Sequence, residues 1–455
     1  MKLSGWRLVA VSSALLSALS HAATRPQYGG TLRVMTRMAL STLDPADASQ
    51  PQAIFRRALD RSVYDTLVTF DDFGRIQPAL ALSWKAEPGN RRWQFWIRQG
   101  VTFDDGSPLT PTSAATSLRE VNTKWAISAL GDSVLIETDT PEPWLAAQLT
   151  LPKYSIVKRL TGKVLGTGPF HVIDWQPGKS LTLAANESYW GGRPFANSVE
   201  VALAKPYRDQ ALALQFGRTD VIEVAPDQAR RFGVEGRTAI QSSPIELTAL
   251  LFARDPASPD ERILREALGS SIDRTSIKNV LLQGNGEPTA AILANWMSGY
   301  AFLFPSDADP AKSRQERSQV RQAPAWNISY DLNDPLSRLI VERIALNARD
   351  VGITVQPGVS NQPDIRLVTI PLSSTNGDLA LMNLADTLGL PVPNITDASP
   401  EALYEAEAAL LASGRIIPLF HLPADYGLSN SVKNWQLRRD GTWDLANTWL
   451  LPEKP

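Results

Sequence analysis

The chain is 455 residues long, 43% hydrophobic and 20% charged, with 45 lysines and arginines against 47 aspartates and glutamates, a formal net charge of −2. This composition is typical of a globular protein with room for two or three domains, and it excludes a disordered or fibrous chain. The lack of a basic excess argues against nucleic acid as a partner. The absence of cysteine excludes disulfides, a thiol nucleophile and a lipid-modified cysteine.

The start of the chain has the pattern of a cleaved secretory signal. A positively charged beginning is followed by an apolar stretch over residues 8–19, and Ser20 and Ala22 supply small residues before a predicted cut at Ala23. The apolar stretch is too short to span a bilayer. We expect residues 1–22 to be removed and the remainder to be periplasmic; a buried first helix is the alternative.

The first half of the chain mixes short strands with a few helices. Hairpins are predicted where Gly131-Asp132 and residues 176–179 separate runs of strand-forming residues. The period of the apolar residues predicts helices over 54–67 and 207–216, and strands over 92–98, 126–130, 133–138, 169–175, 180–185, 198–204 and 220–224.

The pattern changes after residue 245. Ser399 has the properties of a helix cap, with Glu401 in the first turn and Gly414 at the end. Helices are predicted over 260–272, 274–282, 335–351 and from 399 to about 413. Strands are predicted over 246–253, 326–330, 353–355, 365–370 and 416–421. Residues 312–322 form a polar, charged stretch. Boundaries near 245–255 and 415–422 predict two lobes joined by two crossings, which form a hinge.

Short motifs occur in a fixed order from about residue 29 to residue 450. They include Gly29-Gly30-Thr31-Leu32-Arg33-Val34, Thr42-Leu43-Asp44-Pro45, Val63-Tyr64-Asp65-Thr66-Leu67-Val68, Pro78-Ala79-Leu80-Ala81, Gly100-Val101-Thr102-Phe103-Asp104-Asp105-Gly106-Ser107-Pro108, Gly166-Thr167-Gly168-Pro169-Phe170, Leu264-Arg265-Glu266-Ala267-Leu268 and Ile417-Pro418-Leu419-Phe420-His421. Together they resemble the extracytoplasmic solute-binding proteins of family 5, which serve oligopeptide, dipeptide and nickel ABC importers.

The resemblance implies a two-lobed α/β fold of the periplasmic-binding-protein type (type II, cluster C-like) with a hinge of crossover strands. The first lobe would comprise residues 23–248 and 416–455, and the second residues 249–415. It also implies a monomer without cofactor that captures a peptide or similar solute and delivers it to an ABC permease in the inner membrane. The chain departs from the family in a shortened second lobe and in lacking a recognisable Asp-Tyr-Pro-Asp-Pro loop before Ser399.

Aromatic and charged residues near the expected cleft are the candidates for ligand contact, because small-molecule sites are mostly apolar with a few fixed polar groups. They are Thr42, Asp44, Trp296, Tyr300, Arg366, Asp386 and Tyr426. For each of them, packing or a solvated surface is the alternative.

No catalytic or metal site is predicted. Only His171 and His421 remain after the signal, and no zinc, nucleophile-elbow or phosphate-loop motif occurs. The run at residues 104–108 favours a turn over a cation loop. A binding protein of an importer is therefore the leading hypothesis; a reduced relative that senses a ligand or binds a protein, and a secreted enzyme, are the alternatives.

Overall fold

A computed structural model describes residues 25–50, 53–234, 238–358, 362–395 and 398–451. The predicted signal at residues 1–22 lies outside the described residues. The described part contains two large sheets, one smaller sheet and the helices that cover them.

The first large sheet has the strand order β10-β11-β12-β1-β13-β21-β14. Its strands are Thr31–Met35 (β1), Phe170–Gln176 (β10), Ser180–Ala185 (β11), Ser198–Ala202 (β12), Val221–Glu223 (β13), Thr238–Gln241 (β14) and Asp425–Leu428 (β21). β1 pairs in parallel with β12 and β13, and the other pairs are antiparallel. Leu32 and Val34 point into the core of this lobe, as the period of two in a strand requires.

The second large sheet has the order β16-β20-β15-β19-β17-β18. Its strands are Glu246–Phe252 (β15), Glu287–Pro288 (β16), Ala325–Ser329 (β17), Thr354–Pro357 (β18), Ile365–Pro371 (β19) and Ile416–Leu422 (β20). β15 lies inside the sheet with antiparallel neighbours on both sides. Both of its faces are covered, which explains why residues 247–252 form an uninterrupted buried run.

A four-stranded sheet of order β4-β5-β7-β6 forms a side domain of the first lobe. It comprises Ala81–Ala86 (β4), Arg92–Ile97 (β5), Ala126–Leu130 (β6) and Ser133–Glu137 (β7). Three separate two-stranded sheets are also present. In these, Val68–Phe70 (β2) pairs with Ile76–Pro78 (β3), Lys158–Leu160 (β8) with Lys163–Leu165 (β9), and Val432–Lys433 (β22) with Trp449–Leu450 (β23). Both predicted hairpins are present, and Gly131 supplies the positive φ of 59° that the first turn needs.

Helices cover the sheets. They are Ile54–Val63 (α1), Pro111–Val121 (α2), Leu145–Gln148 (α3), Tyr207–Gln215 (α4), Ala229–Val234 (α5), Pro259–Ser271 (α6), Arg274–Val280 (α7), Asn295–Ser298 (α8), Pro310–Gln319 (α9), Pro335–Asp350 (α10), Gly377–Thr387 (α11) and Pro400–Ala412 (α12), with 3₁₀ turns at Pro152–Tyr154 and Ala301–Leu303. Ser399 caps α12 by accepting a hydrogen bond from the backbone of Ala402, as predicted. No described helix combines the length and the apolar character needed to cross a membrane.

The predicted helix over 54–67 ends early, at Val63. A β-carbon on Gly166 would lie 1.9 Å from the carbonyl oxygen of Val63, and the backbone N–H of Gly168 donates to that same oxygen at 3.0 Å. The chain can approach α1 this closely only because both positions are glycine. This contact accounts for the Gly-Thr-Gly motif.

Several observed helices were not predicted, among them α2, α9 and α11. The charged run at residues 312–322 lies largely in α9, where Asp309 is the cap and Pro310 the first residue. Ser313 alone of this helix is buried, and it donates to the carbonyl of Ala267 in α6 at 2.9 Å. A single small contact residue gives no apolar periodicity, so the pattern of hydrophobic residues could not reveal the helix.

The strand pairing corrects both lobe boundaries. The predicted division after residue 248 falls inside β15, which lies wholly in the second large sheet. β20 was assigned to the first lobe, but it pairs along its length with β15 in the second sheet. The chain therefore crosses between the sheets at residues 241–246 and again at 422–425, after β20 and not before it.

Candidate ligand-binding groove between the lobes

The two crossings are hydrogen-bonded to each other. The backbone N–H of Ser242 donates to the carbonyl of Ala424 at 3.0 Å, and the N–H of Ala424 donates back to the Ser242 hydroxyl at 2.9 Å. The N–H of Ile245 donates to Leu422 at 2.9 Å. The crossings thus form a two-stranded hinge on one side of the space between the sheets, which we call the interlobe groove.

The first lobe contributes a cavity of about 330 Å³ beside the end of β13. It is lined by Tyr207, Arg208, Ala211, Ile222, Glu223, Val224, Ala225, Gln228, Arg231 and Phe232. Glu223 is fixed in place because its carboxylate accepts hydrogen bonds from the Thr36 hydroxyl and the Arg37 backbone, both at 2.7 Å. The guanidinium of Arg37 lies over the ring of Tyr207, 4.5 Å from its centre. The cavity therefore combines apolar walls with a small number of fixed charged groups.

The second lobe contributes the beginning of β15 and the loop after β17. Glu246 is the first residue of β15 and is half-buried. Asp331 approaches Arg37 across the groove, with 3.9 Å between the Arg37 Nη2 and the Asp331 carboxylate. The Arg37 side chain is 32% exposed and the Asp331 side chain 55% exposed. Water therefore screens the contact, which adds little stability.

Carboxylates with raised pKa values cluster in the groove near the hinge. Burial, together with the neighbouring charge of Glu223, raises the pKa of Glu246 to about 7. Burial also raises the pKa of Asp425, to about 6, although Asn285 and Gln241 donate hydrogen bonds to it. Burial raises the pKa of Glu223 as well. Such clustering of perturbed groups is typical of functional sites.

The two lobes are also in contact at a place away from the two crossings and from the Arg37 pair. The indole of Trp144 in the first lobe donates to the carbonyl of Ile395 at 2.7 Å, and the hydroxyl of Thr375 donates to Asp71 at 2.9 Å. Leu379 of α11 packs into the core of the four-stranded side domain. The interface is thus apolar and hydrogen-bonded at this place, and charged near Arg37.

Comparison with known proteins identifies the family. The sequence model described as "Bacterial extracellular solute-binding proteins, family 5 Middle" matches residues 75–394, well over half of the chain. The chain belongs to this family. Family 5 consists of extracytoplasmic binding proteins, and the resemblance seen in the sequence motifs is confirmed.

Individual family 5 relatives are distant. The chain is 25% identical over 313 residues to the probable D,D-dipeptide-binding periplasmic protein DdpA of Escherichia coli, covering 62% of this chain and 60% of DdpA. It is also 25% identical over 305 residues to Protein XP55 of Streptomyces lividans, covering 61% of this chain and 56% of XP55. The matched region thus spans less than two thirds of the length of these curated relatives.

Solved structures share the fold. The binding protein AgaA of A. tumefaciens R10, in complex with agropinic acid, superposes with a TM-score of 0.78 at 17% identity, covering 93% of this chain and 99% of that one. At this identity the likeness concerns the fold alone. It confirms the two-lobed, type II periplasmic-binding-protein architecture predicted for this family 5 chain.

Two predicted ligand residues lie close to the hinge. The indole of Trp296 donates to the carbonyl of Pro244 in the first crossing at 2.7 Å, and Arg439 lies over its ring at 5.5 Å. Tyr426 lies in β21 opposite Glu223, but only 4% of it is exposed and its oxygen accepts a hydrogen bond from Trp443. These contacts favour support of the hinge over direct contact with a ligand.

The other predicted residues lie elsewhere in this family 5 protein. Tyr300 is buried and donates to Glu407 at 2.8 Å, so its position indicates a packing role. Arg366 is exposed on β19, and Asp386 is exposed near the end of α11. Their positions bring neither into contact with the hinge residues described above.

Thr42 and Asp44 form a local turn. The Thr42 hydroxyl accepts from the Asp44 backbone at 3.1 Å, and both oxygens of Asp44 accept from Arg159, at 2.8 and 2.9 Å. Burial disfavours the charged form of Asp44, but the bonds from Arg159 and Ala46 more than offset it and lower its pKa. Asp44 therefore already has a full counter-charge.

The predicted turn at residues 104–108 is present. The N–H of Gly106 donates to Phe103 at 2.8 Å, and Gly106 has a φ of 78°. His421 is buried with its Nε2 2.9 Å from the carbonyl of Ile292. Within the described ranges, no three histidines or carboxylates are grouped so that they could hold a metal ion.

The sequence analysis missed Arg37, Tyr207, Glu223 and Glu246. Only Glu246 gave a signal on its own. It is a single charged residue directly before residues 247–252, which are apolar except for Thr248, and it lies at a predicted crossing. Placing a charged side chain at the buried end of a central strand costs free energy, and a role in the groove explains why a glutamate is found there.

Proposed function

We propose that this chain is the solute-binding component of an ABC importer. Exported through its first 22 residues, it captures a peptide or similarly small solute in the interlobe groove. The lobes close over the solute through the two crossings, and a permease in the inner membrane receives it from the closed form. The protein makes and breaks no covalent bond.

The observation that carries this proposal is the groove itself: two large sheets, joined at residues 241–246 and 422–425, border a space that contains charged groups and a cavity. Small-molecule sites favour such interfaces between domains. The only ion pair described across the charged side, Arg37 with Asp331, is long and exposed. Since this pair stabilises closure little, a solute would supply the attraction between the lobes at this part of the groove, in addition to the contacts that Trp144 and Thr375 make between them.

The test uses the whole chain, produced with its own first 22 residues in a Gram-negative host and isolated from the periplasm. We expect a polypeptide mass that begins at Ala23 and a bound solute in native mass spectrometry. Pools of short peptides, polyamines, sugars and nickel salts would then be compared by thermal denaturation. A solute at a hundredfold excess over its dissociation constant should stabilise the protein by about 2.7 kcal/mol.

Failure of every pool to stabilise the protein, with no solute in the native spectrum, would contradict the proposal. A protein partner that co-purifies in the same experiment would instead favour the reduced, non-transport alternative. An intact mass that includes residues 1–22 would contradict the proposed export.

A further inference from the structure

Resting on the proposed function, we propose that the solute bound in the interlobe groove carries a cationic group, an ammonium or a guanidinium, and that Glu246 is the main counter-charge for it.

Glu246 has no partner within the described part of the chain. Its backbone pairs with Pro371 and Leu422 at the start of β15, but no residue in the described ranges donates a hydrogen bond to its carboxylate or forms an ion pair with it. Buried carboxylates are ordinarily hydrogen-bonded or paired, because removing an unpaired charge from water costs free energy. A half-buried carboxylate without a partner in a binding groove is therefore available to a ligand.

Arg57 and Arg37 are the cations whose charges act on Glu246, and both make their direct contacts with other groups. Arg57 is 3% exposed, and its terminal nitrogens donate to the carbonyls of Leu372 at 2.6 Å and Asp440 at 3.0 Å. Arg37 lies over Tyr207 and faces Asp331. Neither forms an ion pair with Glu246, so within the described structure its charge stays without a direct counter-ion.

The other acidic groups near the hinge reinforce the negative potential. Glu223 faces Glu246 from the first lobe, with its oxygens bonded to the hydroxyl of Thr36 and the backbone of Arg37. Among the described residues, Asp425 accepts side-chain hydrogen bonds from the neutral amides of Asn285 and Gln241 alone, at 2.8 and 2.7 Å. These bonds hold the carboxylates in place without neutralising them, which prepares the site for a positive charge.

The positions of the acidic groups also suit closure of the two lobes around a cation. Glu246 belongs to the crossing, Glu223 to the first lobe and Asp331 to the second. A cation in the groove would attract acidic groups from both lobes at once, whereas an anion would meet repulsion from the same groups. The charge on the solute would thus contribute directly to the free energy of closing.

The test is a competition. The whole protein would be incubated with a pool of dipeptides, tripeptides and diamines, each present with its fully N-acetylated counterpart at equal concentration, and bound species would be identified by native mass spectrometry. Acetylation removes the positive charge and keeps most of the shape. We expect at least a tenfold preference for the free amines, lost in Glu246→Gln and retained in Glu405→Gln, which changes an exposed glutamate on α12.

Equal or greater retention of the acetylated forms by the wild-type protein would overturn the inference and leave the proposed function standing, because solutes would still bind. A tenfold preference that persists unchanged in Glu246→Gln would also overturn it. If the protein binds no solute from this pool, and none from the pools used to test the proposed function, then both the proposed function and the inference are overturned. If circular dichroism shows that Glu246→Gln is unfolded, Glu246→Asp replaces it and should keep the preference at reduced affinity.

Discussion

Glu407 and Glu246 both lie in the second lobe, and burial raises the pKa of both, to about 6 and about 7. Their surroundings differ completely. Glu407 is fully buried and accepts hydrogen bonds from the backbones of Ile292 and Leu293 and from the Tyr300 hydroxyl. Glu246 is half-buried in the groove and has no partner among the described residues. A satisfied buried carboxylate is structural, while an unsatisfied one in a groove is available for binding.

The largest change in stability is expected for Glu407→Ala. The substitution leaves three buried donors without an acceptor and creates a cavity, which together should lower the free energy of unfolding by about 3–5 kcal/mol. Urea denaturation measures the change. Tyr300→Phe, which removes one of the three hydrogen bonds, should cost only about 1–2 kcal/mol, and a loss below 1 kcal/mol for the alanine variant would show that the two glutamates do not differ as described.

Glu246→Gln should raise the free energy of unfolding, whereas Glu407→Ala should lower it. A folded-state pKa of about 7, above the ordinary value of 4.5, means that ionised Glu246 destabilises the folded protein, and this loss develops as the pH rises between these two values. The glutamine variant should be more stable than the wild type at pH 8 by up to about 3 kcal/mol and equally stable near pH 4. A variant less stable than the wild type at pH 8 would mean that Glu246 has a structural counter-charge.

Binding of a cationic solute should strengthen with pH. Glu223, Asp425, Arg57 and Arg37 are the charged groups that act on Glu246, and their combined effect with burial gives the pKa of about 7. Because the ionised form binds the cation, the affinity for a diamine, which stays protonated over this range, should rise about tenfold between pH 6 and pH 8; the rise should be smaller for a peptide, whose α-amine begins to lose its proton near pH 8. Isothermal titration calorimetry with the preferred free amine measures this, and a flat profile in the wild type would exclude Glu246 as the titrating counter-charge.

The smallest effect is expected at the charged rim. Asp331→Asn removes the long, exposed pair with Arg37 and should change the free energy of unfolding by less than about 1 kcal/mol. The melting temperature of the solute-free variant, measured at low and high salt, checks this. A larger loss would indicate that the rim, and not the solute, holds the lobes together.

The sequence predicted the local parts of this fold well. The cap at Ser399, the glycine at position 414 and the two hairpins of the first lobe follow from rules that act over a few residues, and each is present. Helix α11 was missed, since most of its residues are apolar and many are buried, so it shows no polar face. Helix α9 was missed because nearly all of its residues are polar, so it shows no apolar face.

The groove could not be predicted in the same way. Arg37, Glu223, Glu246 and Asp425 lie far apart along the chain, and only the order of strands in the sheets brings them to one place. Conversely, Tyr300 and Asp44 have side chains suited to a ligand, but Glu407 and Arg159 are their partners. Residue type suggested candidates, while the partners that satisfy or fail to satisfy each group distinguish a structural role from a binding role.

The central claim is that the lobes close on a solute, and the absence of native cysteine makes it directly measurable. Spin labels at Asp209→Cys on α4 and Asn333→Cys after β17, both exposed and on opposite lobes, report the width of the groove by double electron–electron resonance. We expect a broad distance distribution in the solute-free protein that becomes shorter and narrower when the preferred solute is added. An unchanged distribution with the solute bound would contradict closure.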